Sequence, residues 1–489
     1  MRDGHRRWGR PQRLVVVGNG MAGARLVSEV RARDAGIRIT VFGAEAWQPY
    51  NRVLLSNVVA GTARPDQVRL LDPSWYGEHD VTARLGVAVT AIDRETRTVV
   101  AADGTREPYD VLVLALGSEP VVPPVEGAER AIAFRTLDDC ERIVKEAQTA
   151  RRAVVVGGGL LGVEAARGLV GRGVPVTLVH IGDHLMERQL DPEAGLVLRR
   201  TLAGLGVDIR TGVRVAAIRG DGPGHLVELT GGETIEADLV VFACGVRPVT
   251  GLARAAGLEV DHGIVVDDEL RTDDPAIHAI GECCQHAGTV YGLVAPAWEQ
   301  AAVAADLITG TDPNARYTGS RTVTRLKAAG VELAAMGETT LTEDDAEVVR
   351  FSHHHGGTYR KLVIRDDRLV GAILLGESQA VGTLTQLYDR GAPLPGDRAG
   401  LLFPGLAGDR IAVADSPVRM PDSAKVCRCN NVTKGQIRAC WEAGARDADA
   451  VAAATRATTG CGSCRDAVEG IVDWLCAQEQ HEDREEVSA

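Results

Sequence analysis

Residues 14–23 read LVVVGNGMAG and residues 153–162 read AVVVGGGLLG. Each is a short apolar, β-branched run that stops at a glycine and continues into helix-forming sequence. Gly18, Gly20 and Gly23 make the pattern G-x-G-x-x-G, and Gly157, Gly159 and Gly162 repeat it. The first stretch predicts a strand Leu14–Val17, a helix to about Arg33 and a strand Ile37–Phe42. The second predicts a strand Ala153–Val156, a helix to about Gly171 and a strand Val174–Val179. This is one βαβ unit written twice, about 140 residues apart.

The spacing has a physical meaning. The first glycine permits the turn, the second lets a pyrophosphate approach the backbone, and the third lets helix and strand pack closely. The helix start then presents free N–H groups and a positive dipole end to phosphate. Two dinucleotide sites are therefore expected. The acid that follows such a motif to hold a ribose is best matched in the first unit by Glu45. In the second unit the corresponding position holds His180, so the rule separating NADH from NADPH gives no answer. NADH is favoured, because a neutral histidine neither repels nor strongly attracts and no basic cluster is visible; Arg188 keeps NADPH open.

The rest of the chain bounds what these sites serve. Its 489 residues exceed one hydrophobic core and predict three or four domains. A net charge of −13 argues against a nucleic-acid partner. No apolar run is long enough to span a bilayer, and the basic N-terminus reads as a ragged tail before the first strand, not a targeting segment. The expected compartment is the reducing cytoplasm, where ten cysteines point to metal or redox roles over structural disulfides. Four of them form a pattern: Cys427-x-Cys429, then 31 residues (430 to 460), then Cys461-x-x-Cys464. Four thiolates suit zinc or an iron–sulfur cluster. The departure from paired C-x-x-C knuckles and the dinucleotide sites upstream favour iron–sulfur. Cys464 opens an expected helix, Arg465–Leu475, whose dipole favours the negative charge of a cluster.

Other signals read as structure. Cys283 and Cys284 are adjacent and read as buried small hydrophobes, as do Cys440 and Cys476 as packing residues. His353-His354-His355 precedes two glycines and reads as a solvated loop, not a metal site. Trp298 suits a helix that is either a flavin cap or plain structure.

Both fingerprints, the Ala115-Leu116-Gly117 turn, Gly245-Val246-Arg247-Pro248 and the stretch Ile277–Glu282 together resemble the two-dinucleotide flavoprotein reductases of glutathione-reductase-like fold. The resemblance covers about residues 12–475. It implies that the first unit binds FAD through Gly18, Gly20, Gly23, Glu45, Arg52, Ala115, Gly117, Gly281 and Glu282, the last on the ribityl chain. It implies that the second binds NAD(P)H through Gly157, Gly159, Gly162, Glu164, His180 and Gly245, with Glu164 near the nicotinamide as the catalytic candidate. The stretches Pro49–Ser56 and His180–Asp191 are closest to the nitrite and nitrate assimilation reductases. Ferredoxin reductases of this fold usually carry lysine after that Leu-Ser, where this chain has Asn57. The early C-x4-C pair of the disulfide reductases is missing, Cys140 being the first cysteine. The stretches Val426–Thr433 and Thr458–Cys464 resemble the [2Fe–2S] domain of the bacterioferritin-associated-ferredoxin type, which implies Cys427, Cys429, Cys461 and Cys464 as ligands.

The expected class is α/β: an FAD-binding domain in two segments (12–125 and 246–313), an NAD(P)H-binding domain (126–245), an α/β interface domain (314–412), a linker (413–423), a small [2Fe–2S] domain (424–476) and a disordered tail (477–489). The resemblance implies electron flow from NADH or NADPH through FAD and the cluster to a protein acceptor, a nitrate or nitrite reductase catalytic subunit, with room for a homodimer. Because the chain stops 25 residues after Cys464, the expectation is an electron-transfer subunit, not the nitrogen-reducing catalyst. Two alternatives stand beside it: a reductase for a ferredoxin or rubredoxin carrier, and a zinc-stabilised docking or redox-sensing role for the cysteine domain.

Overall fold

A computed structural model describes residues 12–220, 224–376, 380–403, 420–427, 430, 432–458 and 464–488. The chain forms two compact units: Met1–Arg52 with Arg64–Pro120 and Val246–Ser320, and Val53–Ala63 with Val121–Gly245 and Arg321–Ala489.

The first unit is built on a parallel five-stranded sheet in the order Ile277–Ala279, Val111–Leu114, Arg13–Val17, Arg38–Gly43, Val81–Leu85. Val15 and Val16 at its centre are 1% and 0% exposed, although they point to opposite faces. A strand covered on both faces has to be apolar throughout, which is why LVVV shows no alternation. The helix Met21–Arg33 packs against the helix Val294–Thr309. Buried Ala24, Ala301, Ala304 and Ala305 permit close approach, and Arg33 joins Glu29 to Asp306, the latter at 2.7 Å. The Gly-Val-Arg-Pro segment forms a two-stranded antiparallel ribbon, Val246–Pro248 with Ser118–Pro120.

The second unit repeats the layout. Its parallel sheet runs Val207–Arg210, Val176–Val179, Ala153–Val156, Leu239–Phe242, Ile132–Ala133. An antiparallel five-stranded sheet follows, in the order Val323–Leu326, Leu333–Gly337, Arg368–Leu375, Thr358–Arg365, Glu347–His353. The helix Val381–Arg390 lies on it and buries Leu384 and Tyr388. Asp191 ties the two parts together. Its Oδ1 caps the helix Pro192–Gly204 at Ala194 N–H, and its Oδ2 accepts from Tyr359 Oη at 2.6 Å and Lys361 Nζ at 3.0 Å. Burial, then the Asp191 carboxylate, raise the Tyr359 pKa.

The C-terminal part of this unit has its own core, including Cys427, Val432, Ile437, Val451, Cys464 and Val468. Its last helix runs Arg465–Ser488, so the segment expected as a disordered tail is helical. Glu, Gln, Asp and Arg dominate there, and all but Asp are good helix formers, so the helix continues past its apolar face. Arg446 also holds Glu479 at 3.0 Å, beyond Leu475. The linker expected at 413–423 lies mostly outside the described residues. No helix among the described residues is long and apolar enough to cross a membrane.

Candidate functional site

The two fingerprints have the same geometry. Gly18 has φ +114° and Gly157 φ +115°, a region side chains rarely adopt. A Cβ on Gly18 would stand 2.1 Å from the Ala115 carbonyl oxygen, and one on Gly157 2.2 Å from that of Ala243. A Cβ on Gly23 would stand 1.9 Å from the Gly18 oxygen, and one on Gly162 1.8 Å from the Gly157 oxygen. By contrast, nothing lies within 4 Å of a Cβ on Gly20 or Gly159. The outer glycines are demanded by the protein itself, while the middle ones face open space. A middle glycine with no protein neighbour is what a site for a closely approaching phosphate requires.

In the first unit the residues assigned to FAD gather around this loop. Gly281 abuts it, since a Cβ there would meet the Ala22 Cβ at 2.9 Å, and its N–H donates to Gln300 Oε1 at 2.7 Å. Ser118 Oγ donates to Glu282 Oε2 at 2.7 Å and so orients that carboxylate. Ala115 donates its N–H to Val17 O, and Gly117 (φ +70°) accepts from Val249 N–H at 3.0 Å. Glu45 accepts from Tyr50 Oη at 2.5 Å and pairs with Arg52, which also stacks on the Tyr50 ring at 4.9 Å. Burial works to lower the Arg52 pKa, but Tyr50, Glu45 and Glu282 outweigh it and hold it raised. Asn19 Nδ2, Gln48 Oε1 and Trp298 Nε1 are buried and find no hydrogen-bond partner among the described residues. Orphaned polar groups of this kind suit a ligand, and Asn19 sits beside Gly20 in the fingerprint loop itself.

In the second unit Gly157, Gly159, Gly162 and His180 come together. His180 turns its ring back over the glycine loop, where Nδ1 accepts from Gly158 N–H at 3.0 Å. A Cβ on Gly158 would stand 2.6 Å from His180 Cγ. The first unit makes the same contact in reverse, with the Asn19 side chain on the loop and Gly43 opposite. Gly158 is therefore a fourth required glycine, and its signal was the unbroken Gly157-Gly158-Gly159 run. Gly245 has φ +96° with open space beside it.

Glu164 is buried inside an ion pair. Lys327 Nζ lies 2.8 Å from both of its carboxylate oxygens, and Lys327 N–H donates at 3.0 Å. The side chains are 2% and 9% exposed. Lys327 Nζ also reaches Ser56 Oγ at 3.4 Å, next to Asn57. A lysine thus stands beside Ser56 even though position 57 lacks one, and it arrives from the antiparallel sheet. These four residues line a cavity of about 800 Å³. Nothing in the local sequence around Lys327 marks it, because its partner lies 163 residues away.

Of the cysteine quartet, Cys427 and Cys464 are described and buried, while Cys429 and Cys461 lie outside the described residues. No group of three or more metal-ligating side chains is present among the described residues. What surrounds Cys464 suits a thiolate: Thr458 N–H points at its sulfur at 3.3 Å, and it precedes the N-terminus of the helix Arg465–Ser488. Asn430 Nδ2 donates to Arg456 O at 2.6 Å and ties the loop after Cys427 to the one before Cys464. The other thiols are unlike this. Burial pushes the Cys244 and Cys283 thiols up to about 11, and Cys284 well above its ordinary value. Cys283 Sγ donates to Leu114 O and Ile280 O, which makes it a packing residue. The three histidines 353–355 sit at a hairpin, where His354 faces Arg200 and Glu193.

Residues 12–306 match the pyridine nucleotide-disulphide oxidoreductase family, residues 323–392 the rubredoxin NAD+ reductase C-terminal domain, and residues 425–474 the BFD-like [2Fe-2S] binding domain. The chain is 38% identical to nitrite reductase [NAD(P)H] of Bacillus subtilis, over 94% of this chain and 57% of that one. It is 35% identical to the assimilatory nitrate reductase electron transfer subunit of the same organism, over 96% of this chain and 60% of that one. The chain therefore spans a little over half the length of these two curated relatives. Among solved structures, putidaredoxin reductase in covalent complex with putidaredoxin aligns with a TM-score of 0.74 and 27% identity, over 82% of this chain and 98% of that one.

Proposed function

The chain belongs to the pyridine nucleotide-disulphide oxidoreductase family, with FAD, NAD(P)H and a [2Fe–2S] cluster as its cofactors, and from that premise we propose that it is the electron-transfer component of an assimilatory nitrate or nitrite reductase. The observation that carries the reading is the union, in one chain, of two fingerprints of equal geometry with a [2Fe–2S] module. Bound FAD would supply hydride acceptance from the nicotinamide, and a bound cluster would supply single-electron release.

The chain's own residues prepare that flow. The open faces of Gly20 and Gly159 would receive the two pyrophosphates, and Ser118 fixes the Glu282 carboxylate that would hold the flavin's sugar chain. Glu45 and Arg52 form one charged edge of the FAD site. Glu164, on the helix Leu160–Gly171 and fixed by Lys327, is the acid we assign to the nicotinamide end. Cys283 and Cys284 stay as thiols at neutral pH, which supports exit through Cys427, Cys429, Cys461 and Cys464. The match of residues 425–474 weighs against the zinc alternative.

The test is reconstitution. The purified chain, loaded with FAD and cluster, should pass electrons from NADH to a nitrate or nitrite reductase catalytic subunit. No transfer to either would refute the assignment. The match of residues 323–392 favours a second reading, a rubredoxin- or ferredoxin-type carrier as acceptor. Steady-state rates with each acceptor separate the two.

A further inference from the structure

The second dinucleotide site lacks an acid where the strand Val176–Val179 ends, and His180 stands there instead. The ring of His180 is not available to a ribose, because it lies over Gly158 and is 5% exposed. Its Nδ1 accepts from Gly158 N–H, so the ring proton sits on Nε2. That Nε2 then donates to Glu187 Oε2 at 2.9 Å. Glu187 is 45% exposed, so one side of its carboxylate is held by the histidine and the other faces outward.

The segment carrying Glu187 is pinned on the fingerprint. Met186 N–H donates to Gly158 O at 3.0 Å, so both backbone polar groups of Gly158 are taken up by the 180–187 loop. Leu185 and Met186 are 0% and 1% exposed and anchor it. Met186 has φ +55°, an uncommon conformation for a residue other than glycine. Strain of this kind persists where the surroundings fix the backbone, and here it sets the direction of the residue that follows. Gly182 clears the path, since a Cβ there would stand 2.8 Å from His180 Nε2.

We propose that Glu187, positioned by His180, is the ribose-reading acid of the second site and makes this chain select NADH over NADPH. This rests on the reading of that site as the nicotinamide-dinucleotide site. An ionised carboxylate accepts hydrogen bonds from ribose hydroxyls and repels a 2′-phosphate. The acid is delivered seven residues later than the usual position, through a histidine relay, which is why the motif rule found nothing.

The test uses the FAD-loaded full chain and equilibrium binding, without turnover. Calorimetry compares ADP-ribose with 2′-phospho-ADP-ribose. The wild type should prefer the unphosphorylated ligand by tenfold or more. Glu187→Gln should shrink that ratio about tenfold, Glu187→Arg should invert it, and His180→Ala should shrink it by releasing Glu187. An unchanged ratio in both Glu187 variants overturns the proposal, as does a wild-type preference for the phosphorylated ligand, which would point to Arg188. Gly159→Val should abolish binding of both ligands. If the wild type binds neither, or Gly159→Val binds both normally, the assignment of the site itself fails.

Discussion

Lys327 holds Glu164 with its ammonium 2.8 Å from each carboxylate oxygen, in a pair that is almost wholly withdrawn from water. Such a pair gains little over an apolar substitute, but breaking it strands a charge, at a cost of about 3–5 kcal/mol. Lys327→Met should therefore lower the thermal midpoint by about 10 °C. Adding Glu164→Leu should restore most of the loss, because no buried charge then remains. A single variant that melts with the wild type would mean that Glu164 finds another partner.

The glycines separate into two classes that substitution should distinguish. Gly20→Val and Gly159→Val add side chains into open space, so both proteins should fold. Gly20→Val should lose the visible absorbance of bound flavin. Gly159→Val should keep the flavin and lose its reduction by NADH. Gly18→Ala meets the Ala115 carbonyl at 2.1 Å and forces φ +114° on a side chain, so it should lower the yield of folded protein. Equal behaviour of Gly18→Ala and Gly20→Val would contradict the division.

The parallel sheets were legible because strands such as Leu14–Val17 and Ala153–Val156 are apolar without interruption and stop at a glycine with a fixed purpose. The ends of the helices Met21–Arg33 and Leu160–Gly171 fell where the sequence placed them. What stayed hidden was long-range. Lys327, in the loop after the strand Val323–Leu326, meets Glu164 on the helix Leu160–Gly171, and no local pattern encodes that meeting. Glu187 was hidden because its role depends on the tautomer of His180, fixed by a backbone N–H that the sequence does not display. The helix beyond Leu475 departs from the expected disorder because glutamate, glutamine and arginine, polar as they are, favour helix.

Cys427 is fully buried in the small C-terminal core. Cys427→Ser should remove the iron and acid-labile sulfide of the domain and stop transfer to a protein acceptor. It should leave NADH oxidation by an artificial acceptor that draws electrons at the flavin. Equal loss of both activities would assign the cysteine to folding. Zinc found without iron in the wild type would revive the zinc alternative.

His278 lies in the strand Ile277–Ala279, 4% exposed, with Nδ1 3.2 Å from Glu269 O. Burial, reinforced by the charge of Arg271, lowers its pKa from 6.5 to about 4. The unfolded chain therefore takes up a proton near pH 6.5, while the folded chain resists until about pH 4. Where the unfolded state binds more protons, stability rises with pH. The contribution of His278 is thus complete above pH 6.5, declines as pH falls toward 4, and is constant below. Its full size is about 3 kcal/mol, since each tenfold difference in proton affinity between the two states is worth about 1.4 kcal/mol. His278→Gln keeps a neutral polar side chain at every pH and removes this slope. Denaturant midpoints at pH 7 and pH 5 should differ by more in the wild type than in the variant. Because carboxylates titrate in both proteins, the difference between the two slopes isolates the histidine, and parallel slopes would show that His278 binds its proton equally well in the folded and unfolded states.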